Sequence, residues 1–473
     1  MYYITTTLPY VNAKPHIGFA LEITQADALA RHHRLLGEEV VFNTGTDEHG
    51  QKIYEKAIAE GKETQEYVDE YAAKFDELKT TLNLTYTNFI RTSVPAHKAA
   101  AQTFWKRCEE AGDIYKDQYS VKYCVGCELE KQDSELEEGV CSVHPNIELE
   151  LRDEENYFFR FSKYQEPLLK LYKEQENFVV PAHRLHEIRT FVEGGLKDFS
   201  ISRIKEKMPW GVPVPGDEDH VMYVWFDALV NYVSTLGWPE EGDSFKHSWP
   251  GVQVAGKDNL RQQSAMWQAM LLSAGLKPSK QVFIHGFITS EGKKMSKSLG
   301  NVVDPFAVVK EYGTDAVRYY LLREIPSHGD GDFSESRMEE RYAELANQLG
   351  NLVNRVAAMT HKYFEGEVPR AAWSKKVSAL HSAFSAYDFK AYCDLVFEIV
   401  REANEYTDKT KPFTLVKDDR DAALKVLGEL ADRILWIGNA LLPIIPQAAE
   451  EIVKRYSGDR VLVGDALFPR RNN

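Results

Sequence analysis

Two stretches in which strand and helix patterns alternate constrain this chain more than any other feature. Residues 2–7, YYITTT, are β-branched and aromatic, and a Pro- and Asn-containing stretch at 9–15 leads from them into an apolar-periodic segment starting near His16. Ile17, Ala20, Leu21, Ile23, Ala26, Leu29 and Ala30 mark one helical face, Gly37 ends it, and EVVFNTG (39–45) reads as a second buried strand. The alternation returns at 223–287, with YVWFDALVNYVSTLG, the strand GVQVAG (251–256), a helix from about Asn259 to Ala274 and the strand QVFIHGF (281–287). Strands joined by a crossover helix run parallel, so two βαβ halves more than a hundred residues apart predict an α/β fold, a doubly wound, Rossmann-like parallel sheet interrupted by an insertion.

A length of 473 residues leaves room for two to four domains of roughly 100–200 residues each. The expected division is 1–114 for the first half of the sheet domain, 115–220 for the insertion and 221–291 for the second half. A loop with linking helices follows at 292–333, and a helical bundle at 334–473. The amino terminus has no basic, apolar-cored leader, and the longest apolar stretch, ILWIGNALLPIIP, is far short of the roughly 18 residues of a membrane span. A soluble cytoplasmic protein with no membrane partner is the expectation. A net charge of −15 argues against nucleic-acid binding through overall charge, because phosphate contacts supply most of that affinity; a local basic patch escapes the argument.

Of five cysteines, Cys108 and Cys393 stand alone in helical patterns and read as buried, inert thiols. The others form Cys124-x₂-Cys127 and Cys141-x₂-His144, separated by thirteen residues. Two-residue gaps let each pair straddle one ion from a tight turn, and three thiolates with one imidazole complete a tetrahedron without an open position. The expectation is one structural Zn²⁺ in a Cys₃His knuckle; the competing reading is a redox pair with His144 as bystander.

Two short motifs fall at matching ends of the βαβ halves. KPHIGF (14–19) sits where the first strand gives way to its helix; His16 and the helix amino end offer donors to phosphate oxygens, and Gly18 permits close backbone approach. KMSKS (294–298) follows the last strand between Gly292 and Gly300, and a turn there aims Lys294 and Lys297 at one polyphosphate. Each motif alone reads as an ordinary helix start or a solvated loop; the pairing argues otherwise.

HIGF and KMSKS together resemble the HIGH and KMSKS signatures of class I aminoacyl-tRNA synthetases. LPYVNAKPHIG, NTGTDEHGQK, YVWFDALVNY, GKDN, KMSKSLGNVVDPF and GTDAVRYYLLREI resemble, more narrowly, the methionyl-tRNA synthetases in their compact form with a single zinc knuckle, from residue 1 to at least 413. The resemblance implies ATP-dependent activation of L-methionine and its transfer to tRNA(Met), the initiator included. It implies catalytic roles for His16, Lys294 and Lys297, and ATP contacts from His16, Gly18, Phe19, Gly256, Asp258, Lys294, Ser296 and Lys297, with Mg²⁺ arriving on the nucleotide. Leu8, Tyr10, Trp225, Ala228, Tyr232 and Gln263 would surround the thioether and Asp47 the α-ammonium. Asn351, Arg355, Pro412 and Phe413 would meet the anticodon.

Read without the resemblance, Trp225 and Tyr232 are core aromatics, Asp47 caps a helix starting at Glu48, Asn351 is a polar surface residue and Phe413 belongs to the core. The chain departs from the family pattern at Phe19, where a second histidine is usual, at Gln263, often histidine, and at Phe413, usually tryptophan. The rivals are another class I synthetase and a non-catalytic zinc-knuckle RNA-binding protein on the same scaffold; the leucine, isoleucine and valine enzymes would need more room for an editing insertion than 115–220 provides, and the cysteine enzyme a thiolate-binding zinc in its pocket, whereas the zinc expected here has four protein ligands. Lacking an appended tRNA-binding domain, the chain is expected to be a monomer.

Overall fold

The computed structural model describes all residues except 128, 132–135, 138, 241, 294, 296–299, 371–372, 374–377 and 470–473, and it describes the backbone alone at 119–121, 129–130 and 152–154. Six parallel strands form the central sheet: β1 (Tyr2–Thr6), β2 (Val40–Thr46), β3 (Asn88–Arg91), β4 (Val179–Val180), β5 (Val252–Gly256) and β6 (Gln281–His285). Their spatial order is β3-β2-β1-β5-β6-β4. Ile4 lies opposite both Phe42 of β2 and Val252 of β5, so the order reverses on either side of β1 and β5. Every residue of β1 and β5 is buried, as expected for parallel strands covered on both faces.

Helix α1 (Ile17–Leu35) returns the chain from β1 to β2, and α2 (Gln51–Ala59) follows β2. In the second half, α3 (Val224–Leu229) precedes β5. The stretch 115–220 is dominated by a long antiparallel hairpin, Ile114–Cys124 against Glu150–Phe159, in register from Ile114↔Phe159 to Tyr123↔Glu150. It is not wholly separate from the main sheet, because β4 lies within it and pairs with β6. A strand of two residues is too short to show a period in the sequence.

The helix expected over 259–274 is present from Lys257 to Ser273, opening with a 3₁₀ turn (Lys257–Asn259) and carrying a π turn (Gln262–Met266) before its last α-helical segment (Trp267–Ser273). Side chains take carbonyls that a regular ladder would use: Gln268 Nε2 donates to Gln263 O (2.7 Å) and Tyr172 OH to Ser264 O (2.6 Å).

α4 (Thr314–Arg323) links the sheet domain to the carboxy-terminal helices, which include α5 (Asn351–Phe364) and α6 (Pro412–Asp418). One continuous apolar core runs from Ile17 and Leu21 of α1 through Tyr319 and Leu322 of α4 to Leu430 and Ile452 of the bundle, so the bundle is packed onto the sheet domain. Among the described residues no helix is long and apolar enough to cross a membrane.

Candidate active site

Ligands of open parallel sheets bind at the carboxyl ends of the strands where the order reverses, which here is the crevice between β1 and β5. His16 is the N-cap of α1, and its Nδ1 accepts the Gly18 N–H at 3.1 Å. The ring folds over Gly18: a Cβ there would lie 2.9 Å from His16 Cε1. The space that glycine leaves is thus taken first by His16. With Nδ1 accepting, the ring proton resides on Nε2. Dehydration by the surrounding protein lowers the His16 pKa, so the imidazole is a neutral donor at pH 7, with one edge open to solvent. Phe19 is buried, edge-on to Phe75 at 5.6 Å.

Across the crevice Gly256 ends β5 and Asp258 lies in the following turn. Surrounding protein raises the Asp258 pKa, with the charge of Glu22 adding to the effect. Lys294, Ser296 and Lys297 lie outside the described residues. The approach to them is ordered: Ile288–Ser290 pairs with Gly331–Phe333, and Ser290 N–H donates to Lys293 O at 2.8 Å. Gly292 and Gly300 take φ of 73° and 65°, the left-handed region that glycine enters without strain.

The β1–β2 pairing continues past both strands, since Asp47 N–H donates to Pro9 O (3.0 Å) and Val11 N–H to Asp47 O (3.3 Å). Two backbone bonds therefore set Tyr10 beside Asp47. Asp47 caps no helix: α2 begins at Gln51, after Gly50 at φ 113°. His49 Nδ1 lies 3.2 Å from Asp227 of α3, and Asn43 Nδ2 donates to Asn231 Oδ1 (3.2 Å), so the loop carrying Asp47 is stitched to the segment carrying Trp225, Ala228 and Tyr232. Leu8, Tyr10 and Trp225 are half-buried, while Ala228, Tyr232 and Gln263 are buried. Gln263 donates from Nε2 to Tyr232 OH (2.8 Å) and accepts from Gln253 Nε2 (2.9 Å). Its amide is committed to holding the tyrosine ring.

At the turn end of the insertion hairpin, Cys124, Cys127, Cys141 and His144 bring four donor atoms within 4.8 Å of one another. Cys127 Sγ is 3.5 Å from Cys141 Sγ and 3.2 Å from His144 Nδ1, and Cys124 Sγ is 3.9 Å from that nitrogen. A tetrahedron with metal–sulfur bonds of about 2.3 Å has edges of about 3.8 Å, so the donor set fits a metal ion with no open position. Lys52 Nζ of α2 donates to Gly126 O at 2.6 Å, which ties the knuckle to the sheet domain. Cys108 and Cys393 are buried, and burial pushes the Cys108 thiol up to about 12 and that of Cys393 higher still.

The family model described as tRNA synthetases class I (M) matches residues 2–143 and 126–357. A methionine–tRNA ligase from Thermosynechococcus vestitus is 44% identical over 95% of this chain and 88% of that protein, and one from Thermotoga maritima is 42% identical over 96% and 75%. The chain belongs to the class I methionyl-tRNA synthetases. A solved Mycobacterium tuberculosis methionyl-tRNA synthetase bound by methionyl-adenylate superposes with a TM-score of 0.94 at 34% identity, covering 99% of this chain and 100% of that one. The apo form of that enzyme gives 0.86 at 32% identity, over 100% and 98%.

Of the residues that the methionyl-tRNA synthetase resemblance assigns to the anticodon, Asn351 is exposed at the start of α5, and Arg355, one turn on, is half-buried and paired with Asp408 at 3.0 Å. α6 packs against α5 and carries Phe413, 47% exposed. Pro412 is buried at the first position of α6, where its fixed φ suits a helix start. Sequence reasoning passed over Glu22, His285 and Arg318. The available signal was a charged residue inside the apolar face of α1, between Leu21 and Ile23.

Proposed function

We propose that this chain activates L-methionine with ATP and transfers the methionyl group to the 3′ end of tRNA(Met), the initiator included. The observation that carries the reading is the stitching of the two βαβ halves at the carboxyl ends of β1 and β5, with His16 on one rim and Asp258 on the other. A methionine carboxylate oxygen attacks the α-phosphorus, the bond to the bridging oxygen breaks, and pyrophosphate leaves with its Mg²⁺. A ribose hydroxyl of the terminal adenosine then attacks the carbonyl carbon of the mixed anhydride and AMP leaves.

No covalent enzyme intermediate is needed, so the protein contributes positioning and charge neutralisation. Asp47 takes the α-ammonium, neutral His16 donates from Nε2 to a phosphate oxygen, and Asp258 accepts from a ribose hydroxyl. Lys294 and Lys297 meet the polyphosphate from the loop between Gly292 and Gly300. Leu8, Tyr10, Trp225, Ala228 and Tyr232 enclose the thioether, for which aromatic walls add roughly 0.3–1.5 kcal/mol beyond burial. Gln263 shapes that pocket from behind.

The metal of the Cys₃His group is taken to be zinc; when bound it closes the knuckle and, with four protein ligands, offers no position to a substrate. Asn351, Arg355 and Phe413 face the anticodon, the working form is a monomer, and the compartment is the cytoplasm. ATP–pyrophosphate exchange screened against all twenty amino acids tests the reading: methionine alone supports exchange, and a leucine or cysteine winner overturns it.

A further inference from the structure

Among the described residues, the polar contacts of the Glu22 carboxylate go to the carboxyl ends of central strands. Oε1 accepts the N–H (2.8 Å) and Oγ1–H (2.5 Å) of Thr7, the residue after β1. Oε2 accepts the N–H of Gly256, the last residue of β5 (3.1 Å), and lies 3.0 Å from Nε2 of His285, the last residue of β6. The glutamate is 4% exposed and the histidine 5%. A buried carboxylate is costly unless it is paired and hydrogen-bonded, and these four donors meet that requirement.

His285 has an acceptor at each nitrogen, Glu22 at Nε2 and its neighbour Gly286 O at Nδ1 (2.8 Å). Burial alone would lower its pKa, but Glu22, together with the Gly286 carbonyl and the charge of Asp258, outweighs burial and raises it, which favours the imidazolium. The ring also lies beneath the nucleotide rim: a Cβ on Gly256 would stand 2.8 Å from Asp258 Oδ1 and 3.6 Å from His285 Cε1.

We propose that Glu22 and His285 are positioning residues for the nucleotide, an ion pair that sets the separation of Thr7 from Gly256 and with it the distance between the His16 and Asp258 rims of the crevice. The inference rests on the synthetase reading for the identity of the nucleotide. The amino-acid half of the crevice is held by other links, namely the Pro9–Asp47 and Val11–Asp47 backbone bonds and the Gln253–Gln263–Tyr232 chain, none of which passes through Glu22. The pair is therefore expected to act on ATP far more than on methionine.

The test compares the parent with His285→Gln and Glu22→Gln in methionine-dependent pyrophosphate exchange, together with direct ATP binding by isothermal titration. The expected result is a KM and Kd for ATP about tenfold higher, the size of one lost charge-assisted hydrogen bond, with the methionine KM within about twofold. His285→Gln, which keeps a side-chain donor, is expected to be milder than His285→Ala. ATP constants unchanged within about twofold in folded His285→Gln overturn the proposal, and so does a parallel rise of both KM values. Should Glu22→Gln fail to fold, His285→Gln decides alone. A parent without methionine-dependent exchange defeats the functional reading instead, and ATP titration of parent and variant still decides this one.

Discussion

Arg318 of α4 and Asp27 of α1 meet at 2.8 Å with neither side chain exposed. The same guanidinium donates to Leu82 O (3.0 Å), Pro443 O (3.0 Å) and Ile444 O (2.9 Å). Asp27 in turn accepts from Arg31 Nε (2.8 Å) and from the N–H and Oγ1–H of Thr85 (2.7 Å each). One arginine thus joins the helix that opens at His16 to the turn before the last helix of the bundle.

Arg318→Met is expected to destabilise the protein by about 3–5 kcal/mol, because it removes the buried partner of the Asp27 charge, and Arg318→Lys is expected to recover only part, since an ammonium cannot span the three carbonyls. Urea unfolding checks both. Burial pushes the Asp27 pKa up, but Arg318, Arg31 and Thr85 outweigh it and hold the carboxyl below its usual 3.8. The stability this group contributes is therefore fully present above about pH 4 and lost as pH falls through its folded-state pKa; the methionine variant shows less of that acid loss.

His32 of α1 stacks on Phe384 of the bundle with centroids 4.1 Å apart, and its Nε2 is 3.3 Å from His381 Nδ1. Burial, with the neighbouring His33 and His381, lowers its pKa to about 4. Between pH 6.5 and about 4 the unfolded chain takes a proton there that the folded chain refuses, so stability falls as pH drops through that window. Solvent access limits the loss to no more than about 1–2 kcal/mol. Unfolding midpoints recorded across the window are expected to flatten in His32→Phe.

Gly126→Ala is expected to weaken metal retention by about 10–100-fold. A Cβ at Gly126 would stand 2.6 Å from the His144 ring, and the ring has nowhere to go without giving up its place among the three sulfurs. Competition with a chromophoric chelator measures the change directly.

Lys297→Ala is expected to slow methionine activation by roughly 10²–10³-fold, as loss of one preorganised donor to the reacting phosphates does elsewhere. Unchanged methionine-dependent pyrophosphate exchange in that variant removes the lysine from the mechanism.

Phe413→Ala is expected to raise the KM for tRNA by about 10–100-fold, from the roughly 1–3 kcal/mol of one stacked base, and to leave pyrophosphate exchange as it is. A residue 47% exposed gives little to the core, so the melting temperature is expected to stay within a few degrees.

Local chemistry was enough to read the βαβ repeats, the start of α1 at His16 and the Cys₃His spacing, because each depends on periodicity, capping or a turn spanning a few residues. The same locality limits the reading. Without the family resemblance Asp47 reads as a helix cap, whereas long-range pairing with Pro9 and Val11 places it elsewhere, and the π turn inside the 257–273 helix, where Tyr172 and Gln268 bond its carbonyls, leaves no mark on the helical period. Phe19 and Pro412 are both buried, which their neighbours in sequence do not show. Only the folded chain could reveal that Glu22 joins three strand ends and that Arg318 joins two domains, because partners separated by up to 263 positions leave no trace in each other's neighbourhood until the backbone brings them within hydrogen-bond reach.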